Sequence, residues 1–473
     1  MGGSLLRVWL VAVAVGVGAA FGGGGSSWLR FALVGTALGC ALALVRRHPA
    51  VVLLALILFG FACGAGAAGA QRRSSAAAVL AGDVPGCRVT GRILESWGGL
   101  GTALAPDLLA CEGHPAVRDP GPIVADLVAH PGSTFVATGW LIPLGDDHFD
   151  RARTRAGATA ELALTTIELS PPRGLHSVAA AVREGLVEAA STVAPPEAGL
   201  IRGLTIGDTE GIAAPTLQSF RRSGLSHLLA VSGSNVSIVL GAVMLVGARL
   251  PFRLRLIGGV AALGLFVLVV GPDASVLRAA AMGAIGLVAL ATGRRSESLH
   301  VLATAVAVVI AARPPIVFSV GLHLSVLATA GIILLAPIAL DRFRWMPRPL
   351  ALPLAVTIGA QAAVVPLLAV VFEEMSLIAP AANLLAAVAV APATILGLAG
   401  GVVAVVHAGA GGLFLRAAEP FASWILAVGE LAGEPSWASV QVSAALGLVL
   451  TIPLTAIFGW ALRRHTRGLP SRP

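Results

Sequence analysis

The sequence is poor in charge: only 12% of its 473 residues are Asp, Glu, Lys or Arg, whereas 56% are apolar. An ordinary soluble domain has about 25% charged residues. So few charges cannot cover the water-facing surface of a chain this long, which excludes a soluble multidomain enzyme. Apolar runs of about 18 residues or more recur along most of the sequence, which excludes a disordered chain. The composition predicts a polytopic helical membrane protein.

Lysine and tyrosine are absent, so all 32 basic side chains other than histidine are arginines. Each arginine is a permanent cation whose planar fork suits phosphate and carboxylate groups. Without lysine these residues cannot form a nucleotide-binding loop of the Gly-x-x-x-x-Gly-Lys type. The net charge of +8 does not by itself indicate nucleic-acid binding, because inner-membrane proteins carry positive cytoplasmic loops.

Apolar runs and charges divide the chain into four segments. Residues 1–70 contain three apolar runs, and the pair Arg46 and Arg47 between the second and third predicts a cytoplasmic loop, hence a cytoplasmic N-terminus. Residues 71–175 contain no run long enough to cross a bilayer. Residues 176–223 have the spacing of amphipathic helices at a membrane surface. Residues 224–473 return to the membrane, and we expect about 10–12 spans in all.

The last segment alternates apolar runs with arginine clusters that we place in the cytoplasm. The predicted spans are residues 225–246, 256–271, 274–292, 299–312, 317–340, 350–372, 377–406 and 442–462. The run at 377–406 is long enough for a broken or re-entrant pair. Residues 407–440 contain Arg416 and three glutamates, which favours an interfacial helix.

The insert at 71–175 shows short alternating segments separated by turn residues. This pattern predicts a small extracytoplasmic β domain of roughly five strands, a barrel or a sandwich. It contains two of the four cysteines, Cys87 and Cys111. An outward-facing domain lies in an oxidising compartment, which favours a disulfide between them. Two buried free thiols are the alternative.

The most unusual stretch is residues 220–237, an apolar run interrupted by polar side chains and glycine. Lipid cannot satisfy irregular backbone or polar groups, so this stretch has to face protein or a water-filled cavity. A helix broken around Gly233 would point N–H groups into that cavity, where they would suit an anion. The alternative is close helix packing with Ser and Asn as interhelical hydrogen-bonding groups.

Residues 203–208 (Gly-Leu-Thr-Ile-Gly-Asp) together with 220–237 (Phe-Arg-Arg-Ser-Gly-Leu-Ser-His-Leu-Leu-Ala-Val-Ser-Gly-Ser-Asn-Val-Ser) resemble the signature of the ComEC-type competence DNA channel family. Similar segments follow in the same order at 274–282, 321–331, 361–366 and 376–385. The insert is similar to that family's extracytoplasmic OB-like domain. The resemblance implies a polytopic α-helical membrane protein with an inserted OB-like β-barrel. It also implies the inward passage of single-stranded DNA across the cytoplasmic membrane during natural transformation.

The sequence departs from the family pattern in two ways. Longer members carry a C-terminal metallo-β-lactamase-like domain, whereas this sequence stops at Pro473 and has no His-x-His-x-Asp-His cluster. We therefore expect a truncated form that is not an enzyme and has no nuclease domain, metal or cofactor. The family's Gly-Leu-His is also Gly-Ser-Asn here, at 233–235. The expected partners are single-stranded DNA, the lipid bilayer, an extracytoplasmic DNA receptor, a cytoplasmic helicase-like ATPase and, as an open option, a separate nuclease.

The candidate residues for a DNA path are polar or charged groups within or beside apolar runs: Asp208, Arg221, Arg222, His227, Ser232, Ser234, Asn235, Arg278, His323, Gln361 and Asn383. Arg278 could contact phosphate, pair with Asp273 or Asp208, or snorkel to the interface. The pair Arg221 and Arg222 could attract phosphate or serve as interfacial anchors. The remaining polar residues could line the path or bond between helices.

The insert also offers candidate DNA contacts, which combine aromatic and basic side chains: Arg88, Arg92, Trp97, Trp140, Arg151, Arg153 and Arg155. Aromatic rings can stack on bases and arginines can contact phosphates. Nine arginines against eleven carboxylates make the insert slightly acidic, so we expect transient contact.

Two other functions remain open on the sequence. A small-solute permease could use the broken helix as its binding site. An intramembrane hydrolase could pair Ser232 with His227 or His323, although the rhomboid-type Gly-x-Ser-Gly is absent because position 230 is Ala.

Overall fold

A computed structural model describes residues 83–461, except 97–100, 115, 119, 128, 146–149, 151–152, 154–157, 210, 230, 232, 294–296, 313–315, 317–318, 444, 448, 451–452, 455–456 and 459. The predicted spans of residues 1–70 lie outside the described residues, as do Trp97, Arg151, Arg155 and Ser232. The described residues fall into two compact units, one of residues 83–181 and 306–320 and one of 182–305 and 321–461.

The first unit contains a β-barrel. Its strands are β1 (Val84–Ser96), β2 (Thr102–Ala110), β3 (Val117–Arg118), β4 (Ile123–Ala125), β5 (Thr134–Pro143) and β6 (Ala160–Ser170). The order β1-β5-β6-β4-β2 is closed by pairing of β1 with β2, and β3 is a short addition to β2. All pairs are antiparallel except β4 with β6. A closed five-stranded barrel of this kind is the architecture of OB-folds, so the prediction of a small inserted barrel is confirmed.

Side-chain alternation builds the barrel core. Along β5, Phe135, Ala137 and Leu141 point inward and are buried, as the period of two requires. At Gly91 a Cβ would lie 2.2 Å from the carbonyl oxygen of Ala105. Only glycine therefore permits the irregular register beside Thr90, which helps to curve the strand.

A disulfide joins Cys87, near the start of β1, to Cys111, just after β2. The two residues are 24 positions apart in sequence, and both lie in the barrel core. The bond therefore links two neighbouring strands at one end of the barrel.

Helices account for most of the remaining described residues: α1 (Leu175–Ala190), α2 (Pro195–Ile206), α3 (Ala214–Arg222), α4 (Ser226–Leu229), α5 (Gly233–Val246), α6 (Phe252–Val270), α7 (Ala274–Ala291), α8 (Ser298–Ala312), α9 (Val320–Leu334), α10 (Ala336–Arg342), α11 (Arg348–Phe372), α12 (Ala379–Ala404) and α13 (Ala408–Gly433). Of these, α6, α7, α11 and α12 are long and apolar enough to cross a membrane, and α9 with α10, bent by 44°, would make a fifth span. The prediction of a helical membrane protein is confirmed.

Two predicted spans were candidates for a broken helix. Residues 225–246 form two helices, α4 and α5, with Val231 between them. The long run at 377–406, for which a broken pair was an option, is instead the single helix α12 despite Pro392 within it. Polar residues and Gly233 therefore interrupt a helix where proline does not.

The segment predicted to be interfacial, 407–440, contains α13, which packs antiparallel along α12. Trp424 donates its indole N–H to the carbonyl of Leu385 at 2.9 Å. Towards the other end of the pair, Gly400 comes so close to Gly411 that a Cβ on Gly400 would lie 3.0 Å from the Gly411 carbonyl oxygen. Small residues permit this close packing, and Arg416 remains on the exposed side of α13.

Helix α2 is largely buried over its second half, from Gly199 to Ile206. Its residues Ile201 and Thr205 lie so close to Gly397 of α12 that a Cβ there would be within 2.8 Å of both. At the start of α2, the carboxylate of Glu197 accepts a hydrogen bond of 2.8 Å from Ser423 of α13. Helix α2 therefore packs against both α12 and α13 and becomes part of the helical core.

A short ribbon joins the segments before α12 and after α13. Strand β7 (Glu374–Ser376) pairs antiparallel with β8 (Ser439–Gln441). Ser376 also lies 3.1 Å from the position of a Cβ on Gly224. The end of α11, the start of α12 and the end of α13 are thus held beside the turn that follows α3.

Helix α6 runs antiparallel to both α5 and α7. Gly259 of α6 lies against Met244 of α5 and Leu287 of α7, and Leu263 lies against Gly283 of α7. The start of α5, the end of α6 and the start of α7 therefore meet at one end of this group. The turn at 247–251 and the first turn of α6, which carry Arg249, Arg253 and Arg255, lie at the opposite end.

Candidate functional site

Side chains from neighbouring helices satisfy the irregular backbone at the break between α4 and α5. The hydroxyl of Ser275, in the first turn of α7, donates to the Val231 carbonyl at 2.9 Å. Asn235, in the first turn of α5, is 2% exposed and donates its amide to the Leu204 carbonyl at 2.8 Å. That carbonyl belongs to the last turn of α2, where helical carbonyls lack intrahelical partners. These hydrogen bonds from neighbouring helices thus fix the backbone at the break in a defined conformation.

Arg278 lies beside this break, just over one turn into α7, and is 6% exposed. Its Nε donates to the hydroxyl of Ser325 on α9 at 2.8 Å, and its Nη1 points to the sulfur of Met282 at 3.2 Å. A thioether is a weak acceptor. A Cβ on Gly233, the first residue of α5, would lie 2.5 Å from Nη2 of Arg278. Glycine at 233 therefore lets the guanidinium approach the first turn of α5.

Two further arginines near the break have carboxylate neighbours. Arg202 of α2 donates to one oxygen of Asp208 through Nε at 2.9 Å and through Nη2. Arg183 of α1 lies near both Asp208 and Asp273. Burial lowers the pKa of its guanidinium, and the two carboxylates oppose that shift. Asp208 and Asp273 therefore offset the charges of two arginines.

Arg183 also caps the end of α6. Its Nε donates to the Val269 carbonyl, and its Nη2 donates to the Val270 carbonyl at 2.6 Å. A cation at a helix C-terminus complements the helix dipole. This contact fixes the turn from α6 into α7 and hence the start of the helix that carries Arg278.

Arg202 pairs with Asp208 and Arg183 has Asp208 and Asp273 nearby, whereas none of the carboxylates in the described residues forms an ion pair with Arg278. Neither of the ion pairs that the sequence allowed, with Asp273 or with Asp208, is present there. The guanidinium of Arg278 is thus buried next to a helix N-terminus without a carboxylate partner among the described residues, a combination that suits an anion.

The structure brings four of the predicted path residues together around the break: Asp208, Ser234, Asn235 and Arg278. Ser234 is exposed on the first turn of α5, and Asp208 pairs with Arg202.

Other predicted path residues lie on separate elements. His227 is exposed on α4, with its Nδ1 3.0 Å from the Gly224 carbonyl. His323 is on α9, two positions before Ser325. Gln361 on α11 and Asn383 on α12 are half-buried. The Ser/His pairs of a hydrolase stay a prediction, because Ser232 lies outside the described residues.

The two arginines at the end of α3 differ in their surroundings. Arg222 donates through Nη2 to the carbonyls of Pro435 at 2.5 Å and Glu434 at 3.4 Å, which follow the last residue of α13. Arg221 is exposed. Arg222 therefore caps the end of α13.

On the barrel, Arg88, Arg92 and Trp140 lie on its outer face, on the adjacent strands β1 and β5. All three are exposed, Trp140 by 53%. Arg153, by contrast, forms ion pairs with Asp150 at 3.2 Å and Glu161 at 2.7 Å. It thus links the β5–β6 loop to the start of β6.

Sequence reasoning missed Ser325, Met282, Arg183 and Arg202 as parts of the site. Ser325 and Met282 both lie in segments that carry the family resemblance, 321–331 and 274–282, which was the available signal. Among the described residues, no group of three or more His, Cys, Asp or Glu side chains could hold a metal ion.

Comparison with known proteins gives a family and one distant relative. The chain is 26% identical to "ComE operon protein 3" of Bacillus subtilis (strain 168) over 219 residues, 46% of this chain and 28% of that protein. The match thus spans little more than a quarter of the relative's length. No solved structure matches the chain. The sequence model of a family described as "Competence protein" matches residues 204–467, a segment that contains the break, Arg278, Met282 and Ser325. The chain therefore belongs to the Competence protein family.

Proposed function

We propose that this protein passes single-stranded DNA inward across the cytoplasmic membrane during natural transformation, and that Arg278 contacts the DNA phosphates on the way. Membership of the Competence protein family supports a role in DNA uptake. The observation that carries the finer proposal is the buried guanidinium of Arg278, which has no carboxylate partner among the described residues and lies against the first turn of α5.

Burying a cation without a counter-ion is costly, by several kcal/mol per ion even after the protein relaxes. Packing alone gives no reason to keep such a group inside a membrane helix. A passing phosphate would supply the missing negative charge, and an arginine fork matches two phosphate oxygens. The N–H groups in the first turn of α5 would add partial positive charge on the same side.

Translocation requires contacts that form and break readily. A conduit for a polyanion works when each site binds well enough for entry and weakly enough for release. The offset of Arg183 and Arg202 by Asp208 and Asp273 limits the positive charge at the break. One exchangeable cation is therefore better suited to transit than three unpaired cations would be.

The arginine clusters support an orientation for this path. Arg249 lies in the turn between α5 and α6 and Arg253 lies in the first turn of α6, at the end of those helices opposite Arg278. The positive-inside rule assigns such turns to the cytoplasm, so we assign the Arg278 end to the outer side. The disulfide between Cys87 and Cys111 likewise favours an oxidising, extracytoplasmic compartment for the barrel.

The barrel contributes a second, weaker contact in this proposal. Arg88 and Arg92 could touch phosphates, and Trp140 could stack on a base, since all three are exposed on adjacent strands. We assign the energy for transport, the extracytoplasmic capture of DNA and the degradation of the second strand to partner proteins.

The test uses a transformable strain in which the wild-type chain supports DNA uptake. Arg278→Ala and Arg278→Glu should both abolish the entry of labelled DNA into the cytosol and leave surface-bound DNA unchanged. Arg344→Ala is the matched control, because Arg344 is 79% exposed and pairs with Asp341 at 3.0 Å in the turn before α11; its uptake should stay normal. Normal uptake by a correctly inserted Arg278→Glu variant would overturn the proposal.

A further inference from the structure

We propose that Ser325 and Met282 are positioning residues for the phosphate contact of Arg278, and that the Met282 thioether is a replaceable acceptor which a phosphodiester oxygen displaces as the strand passes. This inference rests on the function proposed above and names the two side chains that would control that site. Its ligand is the phosphodiester group of a single strand, whatever the base.

Ser325 fixes the plane of the guanidinium. Its hydroxyl accepts the Nε–H of Arg278 at 2.8 Å from a different helix, α9. A guanidinium held through Nε cannot rotate about its long axis without breaking that bond, because its five N–H groups are coplanar. The bond thus directs the two Nη groups away from α9, and Nη2 lies beside Gly233 at the start of α5.

The Met282 side chain lies against the Nη edge of the Arg278 guanidinium. It lies four residues after Arg278 on α7, the spacing at which helical side chains meet, and its sulfur is 3.2 Å from Nη1. A neutral thioether is a weak acceptor, whereas an anionic phosphate oxygen forms a charge-assisted bond of about twice the usual strength. Exchange of sulfur for phosphate is therefore favourable once a strand arrives.

The Met282 side chain is also able to leave and return. It is half-buried, and methionine has an unbranched chain that adopts several shapes at low cost. When the phosphate moves on, the sulfur can return to Nη1, so the guanidinium regains an acceptor. Such an exchange would let Arg278 bind successive phosphates without holding any of them tightly.

The test measures equilibrium binding and dissociation of a labelled oligothymidylate single strand, with the full chain in lipid nanodiscs at fixed salt. Ser325→Ala should weaken binding roughly tenfold, because it removes a hydrogen bond to a charged group, and Ser325→Thr should restore it. Met282→Leu keeps the volume but removes the acceptor, so binding should tighten and dissociation should slow several-fold. Met282→Gln supplies a stronger intramolecular acceptor and should weaken binding.

The opposite signs of the two Met282 variants separate this exchange from simple packing damage, which would weaken binding in both. Met244→Leu is the control, because Met244 packs against Gly259 away from the site, and its binding should match the wild type. The inference is overturned if the two Met282 variants bind like the wild type or change in the same direction. Loss of binding in Arg278→Ala alongside unchanged Met282 variants would overturn only this inference, whereas unchanged binding in Arg278→Ala would overturn the proposed function as well.

Discussion

Replacement of Gly233 by alanine tests whether Arg278 needs its close approach to α5. The new Cβ would lie 2.5 Å from Nη2 of Arg278, whereas ordinary contact distances begin near about 3.5 Å. The guanidinium would then have to shift by about 1 Å, which would remove Nη2 from the first turn of α5 and distort the 2.8 Å bond to Ser325. A hydrogen bond to a charged group is worth about 1.5–3 kcal/mol. We therefore expect Gly233→Ala to weaken binding of single-stranded DNA roughly ten- to hundredfold.

The assay for this variant is binding of a labelled single strand to the full chain in nanodiscs, together with cytosolic DNA uptake in cells. Gly241→Ala is the matched control on the same helix, because a Cβ there would meet nothing within 4 Å. Alanine also favours a helix over glycine, so neither variant should lose helix content. Wild-type binding by Gly233→Ala, or an equal loss in Gly241→Ala, would refute the reasoning.

Three further substitutions, made in the full chain, test contacts within each of the two units. Substituting serine for both Cys87 and Cys111 opens a loop with a sequence separation of 24 and should destabilise the barrel by about 3.5 kcal/mol on the loop-closure model. The measurement is the denaturant midpoint, and an unchanged midpoint would contradict this expectation. Gly331→Val should lower the thermal midpoint of the helical unit, because a Cβ at 331 would lie 2.2 Å from a carbonyl oxygen of α11, whereas Gly264→Val, with nothing within 4 Å, should not. Arg222→Ala removes two hydrogen bonds to the carbonyls after α13 and should lower the free energy of unfolding by about 1–3 kcal/mol. Arg221→Ala, at an exposed position, should lower it little. Equal effects of the two variants on the unfolding midpoint would count against the cap.

The barrel could be predicted from sequence because its signal is local. Strict alternation marks β5, in which Phe135, Ala137 and Leu141 are buried, and turn residues bound each strand. The two cysteines favoured a disulfide between distant parts of the insert, and that bond is present. The break in the membrane helix was also readable, since polar residues and glycine between 224 and 237 conflict with a lipid environment.

The partners of Arg278 could not be predicted, because the determining contacts are between helices that are apolar on all sides. In lipid a helix has no polar outer face, so periodicity does not tell which side packs inward. Ser325 is 47 residues from Arg278 in sequence, and no local pattern links them. The burial of α2 and the lengthwise packing of α13 on α12 likewise depend on small residues such as Gly397 and Gly400, which match only in three dimensions.

Which arginines at the break have carboxylate neighbours could not be predicted from the sequence either. The sequence shows Arg183, Arg202 and Arg278 as three equivalent cations, and Asp208 as a candidate for the DNA path. Contacts separate them: Asp208 pairs with Arg202 and lies near Arg183, so its charge would repel phosphate and offset arginine. Arg278 remains as the arginine for which a passing polyanion would supply the counter-charge.

The central claim is that water, and with it a polyanion, reaches the break between α4 and α5. The most direct test is the reaction of a membrane-impermeant thiol reagent, applied from outside, with a Ser234→Cys variant in which Cys40 and Cys63 are replaced by alanine. Ser234 is exposed on the first turn of α5, whereas Val260→Cys, at a 59% exposed apolar position within α6, serves as the lipid-facing reference. The account predicts rapid labelling at 234, slowed by single-stranded DNA, and little labelling at 260. Labelling at 234 as slow as at 260, with or without DNA, would contradict it.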